Sequence, residues 1–276
     1  MQKDINIIDI FIYPIKSTYG LRINESVVEK TGLKHDRALA VINSKNQVLT
    51  ARENSKLLEI KASFNNSLIN LKSLKENHIS FDLDKIQKHK IEAKIFGIPI
   101  RCLTIDDKVD KWISNILNQK SQLVVLDSEK PRFIKSKYCK NENNAILFTD
   151  VSPIHLISKE SLDDLNKRLE NRVEINTFRP NIYISGCTYP YEEDTWKTIR
   201  IGDCEFEVLI QTKRCSFTSI NPETREKDKK QKILKKLAEY RTKEKNINFG
   251  VYLIPRKLGN IKIEDKIKII TTVNTI

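Results

Sequence analysis

The sequence predicts a mainly β protein with a few helices (α+β), folded as a barrel or sandwich in two parts. Three observations carry that expectation. Short apolar, β-branched runs separated by polar or Pro/Gly breaks recur along all 276 residues, the rhythm of closely spaced strands. Helical periodicity is confined to three stretches. A polar tract over 127–144, rich in Lys, Asn and Ser, divides the chain into 1–126 and 127–276, and a chain of this length suits one large domain or two intimate ones.

Residues 5–13 are apolar and β-branched and end at Pro14, so Lys16 and Ser17 fall in the loop that follows. Shorter β-like runs come at 26–28, 37–42 and 47–50, with a hairpin turn at 43–46, and the last run leaves through Thr50, Ala51 and Arg52. Runs at 56–63, 67–71, 78–83 and 91–98 continue the rhythm. At 106–118 the period changes: Val109, Trp112, Ile113, Ile116 and Leu117 share one helical face. A strand at 123–126 closes the first part.

After the polar tract, apolar runs at 145–148 and 154–157 flank Asp150, Ser152 and Pro153. A helix from about residue 158 turns Leu162, Leu165 and Leu169 inward. A loop holding Arg179 and Asn181 passes into a strand ending near 186, and 198–202 and 204–210 alternate as half-buried strands do. Arg214 and Cys215 stand at the exit of the latter, ahead of an Asn221-Pro222 turn. A Lys-rich helix is expected over 228–243 with Ile233, Leu234 and Leu237 inward, and strands at 251–254 and 261–270 end the chain.

With 39% hydrophobic and 31% charged residues the chain suits a globular protein and is too apolar for a disordered one. The net charge of +13 favours anionic partners, yet no RNP consensus, zinc finger or heptad-backed basic helix accompanies it, so nucleic acid is not expected. Five cysteines without a C-x-x-C pair suit free thiols in a reducing compartment. The four histidines show no i, i+4 pairing, which excludes the usual histidine metal patterns. Acids interrupt the first apolar run, no run is long enough to span a bilayer, and a cytoplasmic location is expected.

Polar residues at strand exits recur in both parts: Lys16 with Ser17, Thr50 with Arg52, Asp150 with Ser152, Arg179 with Asn181, and Arg214 with Cys215. A barrel-like fold can gather such exits around one groove. Seven sequence words at and near these exits, in order along nearly the whole chain, resemble the MOSC family. In the first part they are Tyr13-Pro14-Ile15-Lys16-Ser17, Gly32-Leu33-Lys34-His35-Asp36-Arg37 and Leu49-Thr50-Ala51-Arg52-Glu53. In the second they are the run from Leu147 to Leu156, Phe178-Arg179-Pro180-Asn181, the run from Tyr191 to Trp196, and Arg214-Cys215 with Asn221-Pro222-Glu223-Thr224. The resemblance is greatest to the two-part members such as the amidoxime-reducing components.

The resemblance implies two β-barrel-like subdomains, an amino-terminal barrel over 1–126 and a MOSC domain over 127–276, with a cofactor groove between them. The implied cofactor is the molybdenum cofactor, Mo-molybdopterin, and not pyridoxal phosphate. Lys16, Ser17, Thr50, Arg52, Ser152, Arg179, Asn181 and Arg214 would bind it, Cys215 would ligate the metal, and Asp150 would line the approach as a catalytic residue. The implied activity is reduction of small N-hydroxylated compounds: amidoximes, hydroxylamines or N-hydroxylated bases. The chain ends soon after the last expected strand, without a ferredoxin module. Electrons would then come from a separate protein, ferredoxin-like or cytochrome b5-like with its reductase. The alternative is a non-catalytic carrier that holds the cofactor, sulfurated or not.

The residue chemistry is compatible with this and does not require it. A thiolate is a soft donor suited to such a metal, and Lys213 and Arg214 favour the thiolate at Cys215; an isolated Cys at a strand end is otherwise a buried structural thiol. Arginine's fork suits phosphate, while most Lys and Arg are simply solvated. Asp36 and Arg37 read as a local ion pair, Asp150 equally as a turn cap, and Ser17, Thr50 and Ser152 equally as partners of backbone groups. Three positions depart from the family pattern: Thr212 stands where many members have a second Cys, and Arg225 and Glu264 replace glycines of turns.

Overall fold

The largest sheet takes strands from both ends of the chain. Its order is Leu21–Ile23, Asn6–Ile12, Ile182–Ser185, Ile154–Ser158, Asn246–Lys257, Cys204–Lys213, Trp196–Ile201 and Ile267–Thr272. This computed structural model describes residues 4–73, 76, 78–86, 89–139 and 144–273. Ile154–Ser158 and Ile182–Ser185 pair in parallel, joined through the helix Lys159–Arg168 as a parallel pair requires, and the other neighbours are antiparallel.

Around this sheet stand smaller ones. Leu39–Asn43, Ser121–Leu126, Ile98–Thr104 and Lys90–Ile95 form a four-stranded sheet, and Lys61–Asn65, Leu68–Lys72 and Ile79–Asp82 a three-stranded one. Helix α1, Asp107–Leu117, begins where the Asp106 carboxylate accepts from the Lys108 and Val109 amides and ends at Asn118 in the left-handed conformation. Its face of Val109, Trp112, Ile113, Ile116 and Leu117 is buried against Leu57, Leu58 and Leu123, each large side chain contributing about 1.5–3 kcal/mol. Helix α2, Lys159–Arg168, is capped by Ser158 and buries Leu162 and Leu165; helix α3, Lys232–Arg241, buries Leu234 and Leu237. The molecule is thus mainly strand with three α-helices among the described residues, as its alternating patterns predict.

Several local expectations are corrected. The run 56–63 opens with a 3-10 helix, Ser55–Glu59, because Asn54 caps the Lys56 amide and diverts the backbone. Residues 91–98 form a hairpin that turns at Phe96 and Gly97. The polar tract is not all loop: Arg132–Phe133 pairs with Ala145–Ile146, while residues 140–143 of that tract lie outside the described residues. The third helix starts four residues late because Asp228 accepts from the Lys230 and Lys232 amides, holding 228–231 as a turn. Arg225 and Glu264, at the positions where a turn glycine was expected, have left-handed backbone, with φ of 65° and 72°.

The two parts of the chain exchange strands. Asn6–Ile12 lies in the large sheet against Ile182–Ser185, and Gly259–Lys262 pairs with Glu25–Glu29. Cys204–Lys213 and Asn246–Lys257 share three register shifts, the last between Gln211 and Lys213. A bulge re-aims the strand end, and Arg214 and Cys215 follow at once.

Gly250, on Asn246–Lys257, has φ of +77° and lies under the floor of this region: an added Cβ would sit 2.6 Å from Ile157 Cγ1, 2.7 Å from His155 Nε2 and 2.7 Å from the Leu156 carbonyl. Gly250→Ala therefore combines backbone strain with overpacking, about 3 kcal/mol together. A thermal melt is expected to show Tm lowered by roughly 10 °C.

Candidate functional site

One pocket lies between the strand exits of the two parts, and all ten of the sequence-predicted residues line it: Lys16, Ser17, Thr50, Arg52, Asp150, Ser152, Arg179, Asn181, Arg214 and Cys215. Their side chains do different things there.

Lys16 follows Tyr13 and Pro14 out of Asn6–Ile12, and its amide is fixed on the Leu39 carbonyl at 2.8 Å. That turns its side chain inward, 7% exposed, where Nζ donates to the Phe148 carbonyl at 2.8 Å and pairs with the Asp150 carboxylate. Burial pulls Lys16 below the usual lysine range against the opposing pull of Asp150. Burial alone would raise the Asp150 carboxyl, but Lys16, Arg52 and Arg37 bring it below the ordinary range. Asp150 is accordingly a carboxylate held on a lysine, with 46% of its side chain open to solvent at the pocket.

Arg52 reaches across from the first part, and its Nη1 donates to Cys215 Sγ at 3.1 Å. Cys215 is the one exposed cysteine; Cys102, Cys139, Cys187 and Cys204 are buried. Its carbonyl accepts from the Thr218 amide and hydroxyl, which begins the 3-10 helix Ser216–Ser219 and fixes the backbone at the thiol.

Arg179 sits in the left-handed region with φ of 55°. Its guanidinium lies 4.0 Å from the Tyr13 ring centre and donates from Nη1 to the Thr18 carbonyl at 2.6 Å. Burial, together with the nearby Arg37, pushes its pKa down to about 10. Arg214 donates to the Phe178 carbonyl at 2.8 Å and meets His155 Nε2 at 3.4 Å. Arg179 Nη2 and Arg214 Nε are shut off from solvent with no hydrogen-bond partner among the described residues.

The remaining predicted residues serve the frame. The Thr50 hydroxyl donates to Glu53, and the Ser152 hydroxyl donates to the Leu253 carbonyl at 2.8 Å. Asn181 accepts from Arg37 and from the His155 amide, each at 3.1 Å, and donates to the Phe11 carbonyl. Ser17 turns the chain at φ of 65°.

Sequence reasoning set aside two residues that also line the pocket. Arg37 forms the expected ion pair with Asp36 at 2.6 Å, yet it also reaches Asn181 and the Arg179 carbonyl and stacks 4.2 Å from the Tyr13 ring centre. His155 is buried, and burial with the Arg214 charge holds it well below its ordinary pKa, so it is a neutral imidazole. Neither residue type carries a spacing signal, although both fall inside the family-like words 32–37 and 147–156; the topology brings their side chains to the pocket. The pocket thus presents Lys16, Arg37, Arg52, Arg179, Lys213 and Arg214 against the single carboxylate Asp150, a field suited to an anion carrying several charges. Among the described residues no three of His, Cys, Asp and Glu cluster as a metal site.

The family described as the MOSC N-terminal beta barrel domain matches residues 4–120, and the MOSC domain matches residues 143–268. A protein of Rattus norvegicus named mitochondrial amidoxime reducing component 2 is 32% identical over 94% of this chain and 81% of its own length. The chain belongs to the MOSC family. A second MOSC relative, mitochondrial amidoxime-reducing component 1 of Mus musculus, is 29% identical over 97% of this chain and 83% of its own. The molybdenum cofactor sulfurase of Oryza sativa subsp. japonica is 29% identical over 91% of this chain but only 32% of its own length.

The neutral His155 in this MOSC pocket gives the fold a pH dependence of defined sign. Its folded pKa lies below the unfolded 6.5, so its contribution is complete above that pH and is lost as pH falls toward the folded value. Below pH 6.5 the wild type is expected to lose up to about 1.4 kcal/mol per pH unit more than His155→Gln. Denaturant unfolding of both proteins between pH 7 and 5 measures the difference.

Proposed function

We propose that this protein is a molybdenum-cofactor-dependent reductase of N-hydroxylated compounds: amidoximes, hydroxylamines or N-hydroxylated bases. The observation that carries the reading is the contact of Arg52 with Cys215 inside a pocket of six cations and one carboxylate. It sets an accessible soft donor beside groups suited to an anionic phosphopterin. The partnerless donors on Arg179 and Arg214 fit such an anion, which would complete them. The names of the rat and mouse relatives favour amidoxime reduction.

In this reading Cys215 ligates the metal, and Lys16, Ser17, Thr50, Arg52, Ser152, Arg179, Asn181 and Arg214 form the cofactor site. Lys16, Arg52, Arg179 and Arg214 would meet the anion, and Thr50, Ser152 and Asn181 would act by holding the walls. When bound, the cofactor would supply the two-electron chemistry that takes oxygen from nitrogen, with two protons consumed and water released. Asp150, ionised and fixed on Lys16, would orient the N-hydroxyl group and accept its hydrogen bond. The division at 126/127 separates the parts that supply Lys16 and Arg52 from those that supply Asp150 and Cys215. Electrons would come from a separate donor, ferredoxin-like or cytochrome b5-like with its reductase, and the cytoplasm is the proposed compartment. No helix among the described residues is long and apolar enough to cross a membrane.

A second reading, a cofactor carrier, draws on the sulfurase relative. Turnover decides between them: molybdenum-loaded protein that fails to reduce benzamidoxime with reduced viologen is a carrier. Cys215→Ser is expected to lose both molybdenum, by elemental analysis, and activity, while retained metal with unchanged spectra would remove Cys215 as the ligand. Arg52→Ala, which strips the donor from the ligating sulfur, is expected to lower metal affinity or activity by about 10–100-fold.

A further inference from the structure

Phe96 is a large aromatic residue with 50% of its surface exposed, placed where folding gives little reason for it. It occupies the tip of the hairpin formed by Lys90–Ile95 and Ile98–Thr104, with φ of 51° followed by Gly97 at 79°. A bulky side chain in the left-handed region costs about 1–3 kcal/mol, and half-exposure recovers little of it. The hairpin is nevertheless firmly held: the Val48 amide donates to the Lys94 carbonyl at 2.9 Å and the Lys94 amide to the Asn46 carbonyl at 2.8 Å. That ties the tip to the segment that leads into Thr50 and Arg52.

The ring lies against the pocket's own cations. Its centre is 5.2 Å from Lys16 Nζ and 5.8 Å from Arg52 Cζ, within the range of cation–π attraction. Lys16 pairs with Asp150, and Arg52 donates to Cys215 Sγ at 3.1 Å. One side chain therefore separates the ring from the carboxylate, and one separates it from the thiol. A flat group seated on Phe96 would carry a substituent toward the space between Asp150 and Cys215.

We propose that Phe96 is a specificity-determining residue, an exposed aromatic platform beside the pocket's Lys16 and Arg52 that selects N-hydroxylated substrates bearing a planar ring over small ones without it. The proposal rests on the reductase reading. Stacking on a fixed aromatic ring contributes about 1–3 kcal/mol for a planar base, which corresponds to roughly tenfold or more in affinity. Hydroxylamine, too small to span from the ring to Asp150, gains nothing from it.

The test is steady-state kinetics of the molybdenum-loaded protein with reduced viologen, comparing benzamidoxime with hydroxylamine. For Phe96→Ala and Phe96→Leu we expect KM for benzamidoxime to rise about tenfold, with kcat, KM for hydroxylamine and molybdenum content unchanged. Phe96→Tyr, which keeps the ring, and Ile98→Ala, on the same hairpin, should match the wild type. A KM for benzamidoxime that does not move, an equal rise for both substrates, or a loss of molybdenum in Phe96→Ala would overturn the proposal; the last would mean that the ring serves the cofactor through Lys16 and Arg52. If the wild type reduces neither compound, the reductase reading fails by itself. Calorimetric titration of benzamidoxime without reductant then decides the platform. Binding weakened about tenfold by Phe96→Ala sustains it, and equal affinity, or no binding by the wild type, ends it.

Discussion

Tyr13 holds together the least favourable feature of this molecule, the crowding of like charges in one pocket. The guanidinium groups of Arg37 and Arg179 lie 4.2 and 4.0 Å from its ring centre, and its hydroxyl donates to the Pro180 carbonyl at 3.1 Å. Burial pushes that hydroxyl up to about 12, so the ring remains neutral. Cations brought this close in a recessed site repel one another strongly, and each has lost water it must replace. The replacements are largely carbonyl oxygens: Thr18 for Arg179, Phe178 for Arg214, Phe148 for Lys16. Asp36 neutralises Arg37 alone. The surplus that remains gives the pocket a positive field, and the Arg179 and Arg214 nitrogens without a partner among the described residues are its least satisfied part.

The exchange of strands between the two parts follows from the same need. Pocket walls that carry repelling charges must be fixed from outside, and the wall that follows Asn6–Ile12 is anchored in a sheet shared with the other part. Asn6–Ile12, which delivers Tyr13 and Lys16, is paired along Ile182–Ser185, which follows Arg179 and Asn181. Asn181 closes the arrangement by bonding Phe11, Arg37 and the His155 amide at once. Its place in the pocket is therefore structural as much as chemical, which the residue type alone does not reveal.

Much of this site was legible in the sequence because polar residues directly after apolar strands are conspicuous. All ten predicted residues line one pocket; the strand exits pointed to a shared groove, while the roles proposed for them came from the resemblance to the MOSC family. What escaped was nonlocal or masked by composition. Arg37 and His155 enter through pairings between distant strands, which no periodicity encodes. The hairpin at Phe96 read as one continuous strand because Phe and Ile favour β structure and Gly97 is its only turn residue. At Arg225 and Glu264 the turns were expected but not their geometry: without glycine the residue types give no sign of the left-handed backbone found there. In each case the tertiary pairing overrode the local preference.

The segment after Cys215 shows how the first part can govern the metal-binding position proposed in the second. Beyond the thiol, Glu223 accepts from the Tyr19 hydroxyl at 2.6 Å, Arg225 lies 3.4 Å from the buried Glu59, and the Phe217 ring packs 5.3 Å from the Arg179 guanidinium. Tyr19 and Glu59 belong to the first part of the chain, as does Arg52 on the sulfur itself. Before the thiol, the register shift at Lys213 fixes the other side through the large sheet. Cys215 is thus exposed yet clamped along its backbone from both directions, a combination that a free surface thiol does not need and a ligand of fixed direction does. The four buried cysteines lack that access, so the position of the thiol in the fold, more than its chemistry, sets Cys215 apart.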